Sequence, residues 1–260
     1  LTALPQDDPY TLQVLGDIIT LGGVGEFSAI DLPKVLAGKK VSVSPYISTY
    51  SEGMSGSCSP KDLETMLQLV HLYFTAPRAD QEAFTSNMER TKAMLKNMEL
   101  NPMITLSDSL NKVLYNNHPL TVRMKAEDYD KVDYAKAMEM YKDRFADPNN
   151  FTFTFVGNID PETFKPLVEK YLASLKKNKR KEDWKNIGLA VNDDNYVTHY
   201  RKEMQDPKTS VYMIYNGDIE YNLYNDIYME VLSDVLDIVY TKSIREEQGG
   251  TYGGYLWEKE

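Results

Sequence analysis

Apolar residues in this chain recur at two spacings, and the switch between them marks out the elements. Steps of three and four, the period of one helix face, run through Leu12, Leu15, Ile18 and Ile19, and through Leu63, Met66, Leu67, Val70 and Phe74. The same step returns at Phe164, Leu167, Val168, Tyr171 and Leu172, and in Ile227, Val231, Leu232, Val235, Leu236 and Val239. Steps of two mark Val41, Val43 and Pro45 as a strand, with 49–57 as its partner. They also mark 151–157, where Phe151, Phe153 and Phe155 fall on one face of the clearest strand pattern in the chain. Asp8-Pro9, Ser59-Pro60-Lys61-Asp62 and Asp133 are helix starts. Gly22-Gly23, Asn116-Asn117-His118-Pro119 and Gly249-Gly250 are stops. Further helices are expected over about 80–100, 106–115 and 134–145.

The order of these elements gives an α+β chain with a break. Lys176–Asp183 is basic, polar and without periodicity, and reads as a linker. Two strands follow, at 196–204 and 210–215, joined by a turn at Asp206-Pro207, then the helix Tyr224–Glu247 and a last strand at 251–257. Val14-Leu15-Gly16-Asp17-Ile18-Ile19 and Val231-Leu232-Ser233-Asp234-Val235-Leu236 share Val-Leu-x-Asp and two aliphatics, each in mid-helix. Two strands precede the second copy and none the first. The expectation is therefore a nearly complete unit at 1–180 lacking its first strands, a linker at 181–190, and the start of a similar unit, truncated, at 191–260.

Composition narrows the class. Hydrophobic residues at 42% and charged residues at 26% fit a globular protein with a substantial core. A net charge of −10, with no basic block longer than Lys176–Lys181, argues against nucleic acid as a partner. No apolar run approaches a membrane span. Cys58 is the only cysteine, so no internal disulfide forms, and with no His nearby in sequence it reads as a structural thiol. Gly22-Gly23-Val24-Gly25 follows a helix and lacks Lys-Ser/Thr, which makes it a cap and turn, not a phosphate loop. Ser55 and Ser57 lie outside any nucleophile elbow. His71, His118 and His199 have no paired spacing, so no metal site is expected in this chain.

The most informative stretch is Arg245-Glu246-Glu247-Gln248-Gly249-Gly250-Thr251-Tyr252. It places an arginine on the last turn of a helix and a tyrosine seven residues later on the next strand. Both are hydrogen-bond donors, able to meet an oxygen that gains negative charge. The stretch resembles the Arg-x-Glu-x-x-Gly-x-x-Tyr pattern of the pitrilysin/insulinase family of zinc metallopeptidases, in the half that lacks the metal. The glycine register differs by one place. Gly38–Pro45, Met54–Ser57, Lys61–Glu64, His118-Pro119-Leu120 and the passage from Tyr141 through Arg144-Phe145 to Phe155–Asp160 are similar to the family's first unit in that half.

The resemblance implies tandem pitrilysin-like (LuxS/metallohydrolase-like) units, each an antiparallel sheet with helices on one face. It implies that Arg245 and Tyr252 hold a substrate carbonyl over a zinc site built by the other half of the same polypeptide. The implied partners are that N-terminal catalytic half and peptide substrates, and the implied location is the bacterial periplasm or envelope. The helix matching the family's His-x-x-Glu-His segment, Tyr10–Leu21, contains no histidine. The chain alone is therefore expected to be inactive, as part of a zinc endopeptidase. The alternative is a catalytically inactive scaffold or peptide-binding protein of the same fold.

Overall fold

The first helix is built around Asp8, whose carboxylate accepts the Thr11 backbone N–H at 3.0 Å while Pro9 takes the first helical position. The computed structural model describes residues 1, 3–178, 185–203 and 209–249. Helix α1 (Pro9–Ile18) turns Leu12, Val14, Leu15 and Ile18 into the main core. It packs against α6 (Tyr134–Arg144) and strand β1 (Val41–Ile47). The chain leaves it through Gly22 and Gly23. Gly23 has φ +88°, and a Cβ on Gly22 would lie 2.1 Å from the Arg78 carbonyl oxygen, so backbone passes directly over backbone here.

After the short helix α2 (Leu32–Val35), strands β1 and β2 (Glu52–Cys58) form an antiparallel hairpin, in register from Val41 opposite Cys58 to Ile47 opposite Glu52. Along β1 the side chains at 41, 43, 45 and 47 are more covered than those at 42, 44 and 46, the period-two burial the sequence carries. Helix α3 (Leu63–Thr75) lies against both strands and presses Leu69 and Tyr73 toward Val41 and Val43. On its other side Leu67 meets α7 (Pro161–Tyr171) and the residues just after it, Leu172 and Leu175. Helices α4 (Gln81–Met98) and α5 (Pro102–Leu114) complete this unit, with Phe84 stacked on Tyr134 at 4.6 Å.

Among the described residues the sheet is smaller than the sequence suggests. Phe151–Val156 runs without a ladder partner among the described residues. Its alternation is nonetheless used: Phe151 and Phe153 pack on Phe74, and Phe155 packs on Phe164. Period two records that one face is covered, whereas a ladder also needs a neighbouring backbone, which no side-chain pattern encodes. For the same reason, the strand patterns at 196–203 and 209–216 form no ladder where they are described. The expected strand at 251–257 lies outside the described residues. Ser59 stands at the N-cap position of the 3-10 turn Pro60–Asp62, as expected, but its hydroxyl donates to the Asp62 carboxylate instead of accepting a backbone N–H.

The contacts divide the chain into two units, the larger containing Leu1–Asn192 and the segment that begins at Tyr196. The smaller holds Asp193–Asn195 and the chain from Lys208 onward. Within it, Asn222 caps helix α8 (Leu223–Tyr240) by accepting the Asn225 N–H at 3.0 Å. The helix continues as a π-helical turn over Thr241–Glu247.

Candidate functional site

On α8, Asp226, Glu230, Asp234 and Asp237 fall at steps of three and four and form one acidic stripe, while Ile227, Val231, Val235, Ile238 and Val239 form the apolar side. Arg245 comes after this stripe, exposed, on the π-helical turn. The sequence places Arg245 in the last turn of an α-helix. The structure keeps it at the helix end and widens that turn into a π-helical one, a rare departure frequently found at functional sites. Gly249 then takes φ +61° and ends the run. A cation here also complements the carbonyl end of the helix dipole. Tyr252 lies outside the described residues, so the pairing of the two side chains rests on the sequence.

The three histidines are placed apart. His71 on α3 has Nδ1 2.7 Å from the Tyr171 carbonyl oxygen, beside a phenol that donates to Glu64 at 2.7 Å. It joins α3 to α7. His118 stands in the loop after α5, and His199 is exposed at the start of the segment that returns to the larger unit. On α1 the polar side chains between the apolar ones are Gln13 and Asp17, with no imidazole or thiolate among them. Among the described residues, no three His, Cys, Asp or Glu side chains converge as metal ligands do. The described residues therefore do not fit a zinc ion. Cys58 is half-buried at the end of β2, and burial, followed by the Asp62 carboxylate, pushes its thiol above the usual range. That is the environment of an inert thiol.

Several residues that carry the resemblance are structural. Tyr141, almost fully buried, donates its hydroxyl to the Tyr73 carbonyl at 2.8 Å, and burial drives its ionisation far above the ordinary phenol range. Arg144, also buried, pairs with Glu52 and so ties α6 to β2. Phe145 packs with Phe74, Tyr141 and Phe151. Sequence reasoning passed over the bidentate pair in which Arg123 Nε and Nη2 grip Asp108 at 2.7–3.1 Å. Nothing in the periodicity marks it, because the partners are fifteen residues apart on α5 and a loop.

The chain is similar to known proteins in sequence and in fold. Residues 131–258 match the model of the peptidase M16 inactive domain. Over 257 residues the chain is 21% identical to a probable zinc protease, PqqL, of Haemophilus influenzae, covering 99% of the chain and 27% of that protein. Over 117 residues it is 32% identical to a zinc protease PQQL-like protein of Arabidopsis thaliana, 45% of the chain and 12% of that protein. The crystal structure of the periplasmic protease PqqL from Escherichia coli shares the fold, with a TM-score of 0.77 at 20% identity over 97% of the chain and 28% of that structure. The chain thus spans roughly a quarter of the length of the relatives that it matches along its whole extent.

Proposed function

This chain belongs to the peptidase M16 family, the pitrilysin/insulinase-type zinc metallopeptidases, in the metal-free half, and on that premise we propose that it supplies the substrate-carbonyl grip of a zinc endopeptidase. The N-terminal catalytic half of the same polypeptide is its partner and holds the zinc; peptides are its substrates. Arg245 and Tyr252 close on the carbonyl of the bond to be cut and donate to its oxygen as that oxygen gains charge. The guanidinium brings a permanent charge and the phenol a neutral donor. The observation that carries this reading is the exposed Arg245 on a widened turn ending α8, inside the stretch matched to the inactive domain.

Two further elements belong to the proposal. Residues 1–180 and 191–260 act as tandem units joined through 181–190, a reading supported by the division of contacts near Asn192. The location is the bacterial periplasm, supported by the naming of the E. coli relative as periplasmic.

The test uses the full-length protein and two variants. Tyr252→Phe is expected to lower turnover about a hundredfold, the order of about 3 kcal/mol for one lost oxyanion donor, with an unchanged melting temperature. Arg245→Ala is expected to impair both binding and turnover. If both residues were only packing and capping groups, stability would fall by about 1 kcal/mol and activity per folded molecule would hold. Wild-type turnover from folded Tyr252→Phe removes the assignment.

A further inference from the structure

Helix α5 stands apart from the cores that hold the other helices of the larger unit. No residue of Pro102–Leu114 is fully buried. Among the described residues it is the one α-helix of that unit with no side chain in, or packed against, the three buried clusters. Helix α6, by contrast, places Tyr134, Ala137, Met138, Met140 and Tyr141 in the main one. The chain on either side of α5 is anchored. Met98 and Leu120 both pack on the main core, and Gln13 of α1 donates to the Pro119 carbonyl. Residues 99–119 are thus a flap fixed at its two ends.

What holds the middle of the flap is polar. Arg123, just beyond it, grips Asp108 of α5 with Nε and Nη2 at 2.7–3.1 Å, and the third nitrogen, Nη1, is buried without a partner among the described residues. The flap in turn carries a strap made of 186–192 and 196–203. Asn192 donates its backbone N–H to Leu114 O at 2.6 Å and its amide to Val113 O at 3.4 Å, at the last turn of α5. Tyr200 donates to the Thr105 hydroxyl at 2.7 Å, at the first turn, and Lys202 to Glu99 O at 3.3 Å. Along the strap Ile187, Leu189 and Val191 are half-covered and Gly188 and Ala190 exposed, so one side of it is seated.

We propose that 99–119 is a hinged flap that lifts from the larger unit as one piece and takes the strap with it, the Arg123–Asp108 fork being its clasp. Segments with little buried apolar surface open at a lower free energy than the core they lie on. Opening costs the flap its fork and no place in a core cluster, while the turns at Met98 and Leu120 stay seated as hinges. The strap flanks Asp193, where the smaller unit begins in sequence. Lifting the flap therefore lets out chain at the boundary between the units, and docking it takes that chain up again.

Hydrogen exchange of the full-length protein tests this, with peptides from 102–114, 186–192, α1 and α6 followed side by side. In wild type, α5 and the strap should share one protection factor, lower than those of α1 and α6. Arg123→Ala should lower α5 and strap protection together by about tenfold, the scale of a partly exposed charge-assisted pair, and leave α1 and α6 unchanged. Asp108→Asn, which keeps the shape and removes the charge, should act in the same direction, and the double variant should add little to either. Wild-type α5 exchanging only as slowly as α6 overturns the separate opening. A strap that keeps its protection when α5 loses it overturns the joint movement, and unchanged α5 protection in both single variants overturns the clasp. None of these results depends on Arg245 or on peptidase activity, so failure here is distinct from failure of the carbonyl-grip reading.

Discussion

At the residue scale, the side chains that matter most for the fold are those that close two elements with one group. Asp62 is the clearest. Its carboxylate accepts the Ser59 hydroxyl at 2.5 Å and the Lys40 N–H at 2.9 Å, fixing the start of β1 to the entry of α3. The Ser59 hydroxyl first, then the Lys40 N–H, hold its pKa below the usual carboxylate value. A depressed folded-state pKa contributes stability above the unfolded value, near 3.9, and that contribution disappears as pH falls through the lower folded value. Asp62→Asn is therefore expected to melt below wild type at pH 7, with the gap closing below about pH 4. Thermal melts of both proteins at pH 7, 5 and 3 check this; a gap that persists undiminished at pH 3 contradicts it. The sequence showed Ser59-Pro60-Lys61-Asp62 as a helix start but not this cross-link, since the Lys40 N–H comes from twenty-two residues away. The place of Arg245 at a helix end was legible for the opposite reason, being part of a local pattern that needs no distant partner.

At the element scale, starts and stops were more legible than pairings. Asp8, Asp80, Asn101, Asp133, Asp160 and Asn222 each accept a backbone N–H at the head of a helix, which is local chemistry written in adjacent residues. Gly22-Gly23 was read as a stop, and the structure adds what the stop accommodates. A Cβ on Gly23 would meet Phe27 O at 2.2 Å in a left-handed conformation, and one on Gly22 would meet Arg78 O. Gly23→Ala is expected to cost at least about 1–3 kcal/mol, combining backbone strain with the clash. Gly38→Ala has φ +81° but open space around it and should cost only the conformational part, about 1 kcal/mol. Urea unfolding of the two variants in parallel separates the terms, and equal losses would remove the close-approach argument. Among the described residues the strand pattern at 151–157 forms no ladder, because alternation specifies a covered face and leaves the hydrogen-bonding neighbour open.

At the scale of the whole molecule, the same short pattern meets two environments. In α1 and its C-cap, Val14, Leu15, Ile18 and Ile19 are 4%, 0%, 0% and 2% exposed, whereas in α8 Val231, Leu232 and Val235 are 52%, 48% and 50% exposed. The pattern was legible in both places, but its burial depends on what lies across from it, and α1 meets the hairpin strand β1 and the helix α6. The proposed division of labour between halves follows the same logic, because a grip on the substrate and a metal site require different residues and need not share a unit. The described residues bring no cluster of metal ligands together, and α1 offers only Gln13 and Asp17 between its apolar positions. In the full-length protein, Arg245→Ala and Tyr252→Phe should therefore keep the same zinc content as wild type, measured by elemental analysis after dialysis, while losing turnover. The 260-residue chain by itself, dialysed against micromolar zinc, should retain none in stoichiometric amount. One tightly held ion per isolated chain, or zinc lost from the Arg245→Ala protein while it stays folded, would place a ligand in this half and undo the separation of metal from carbonyl grip.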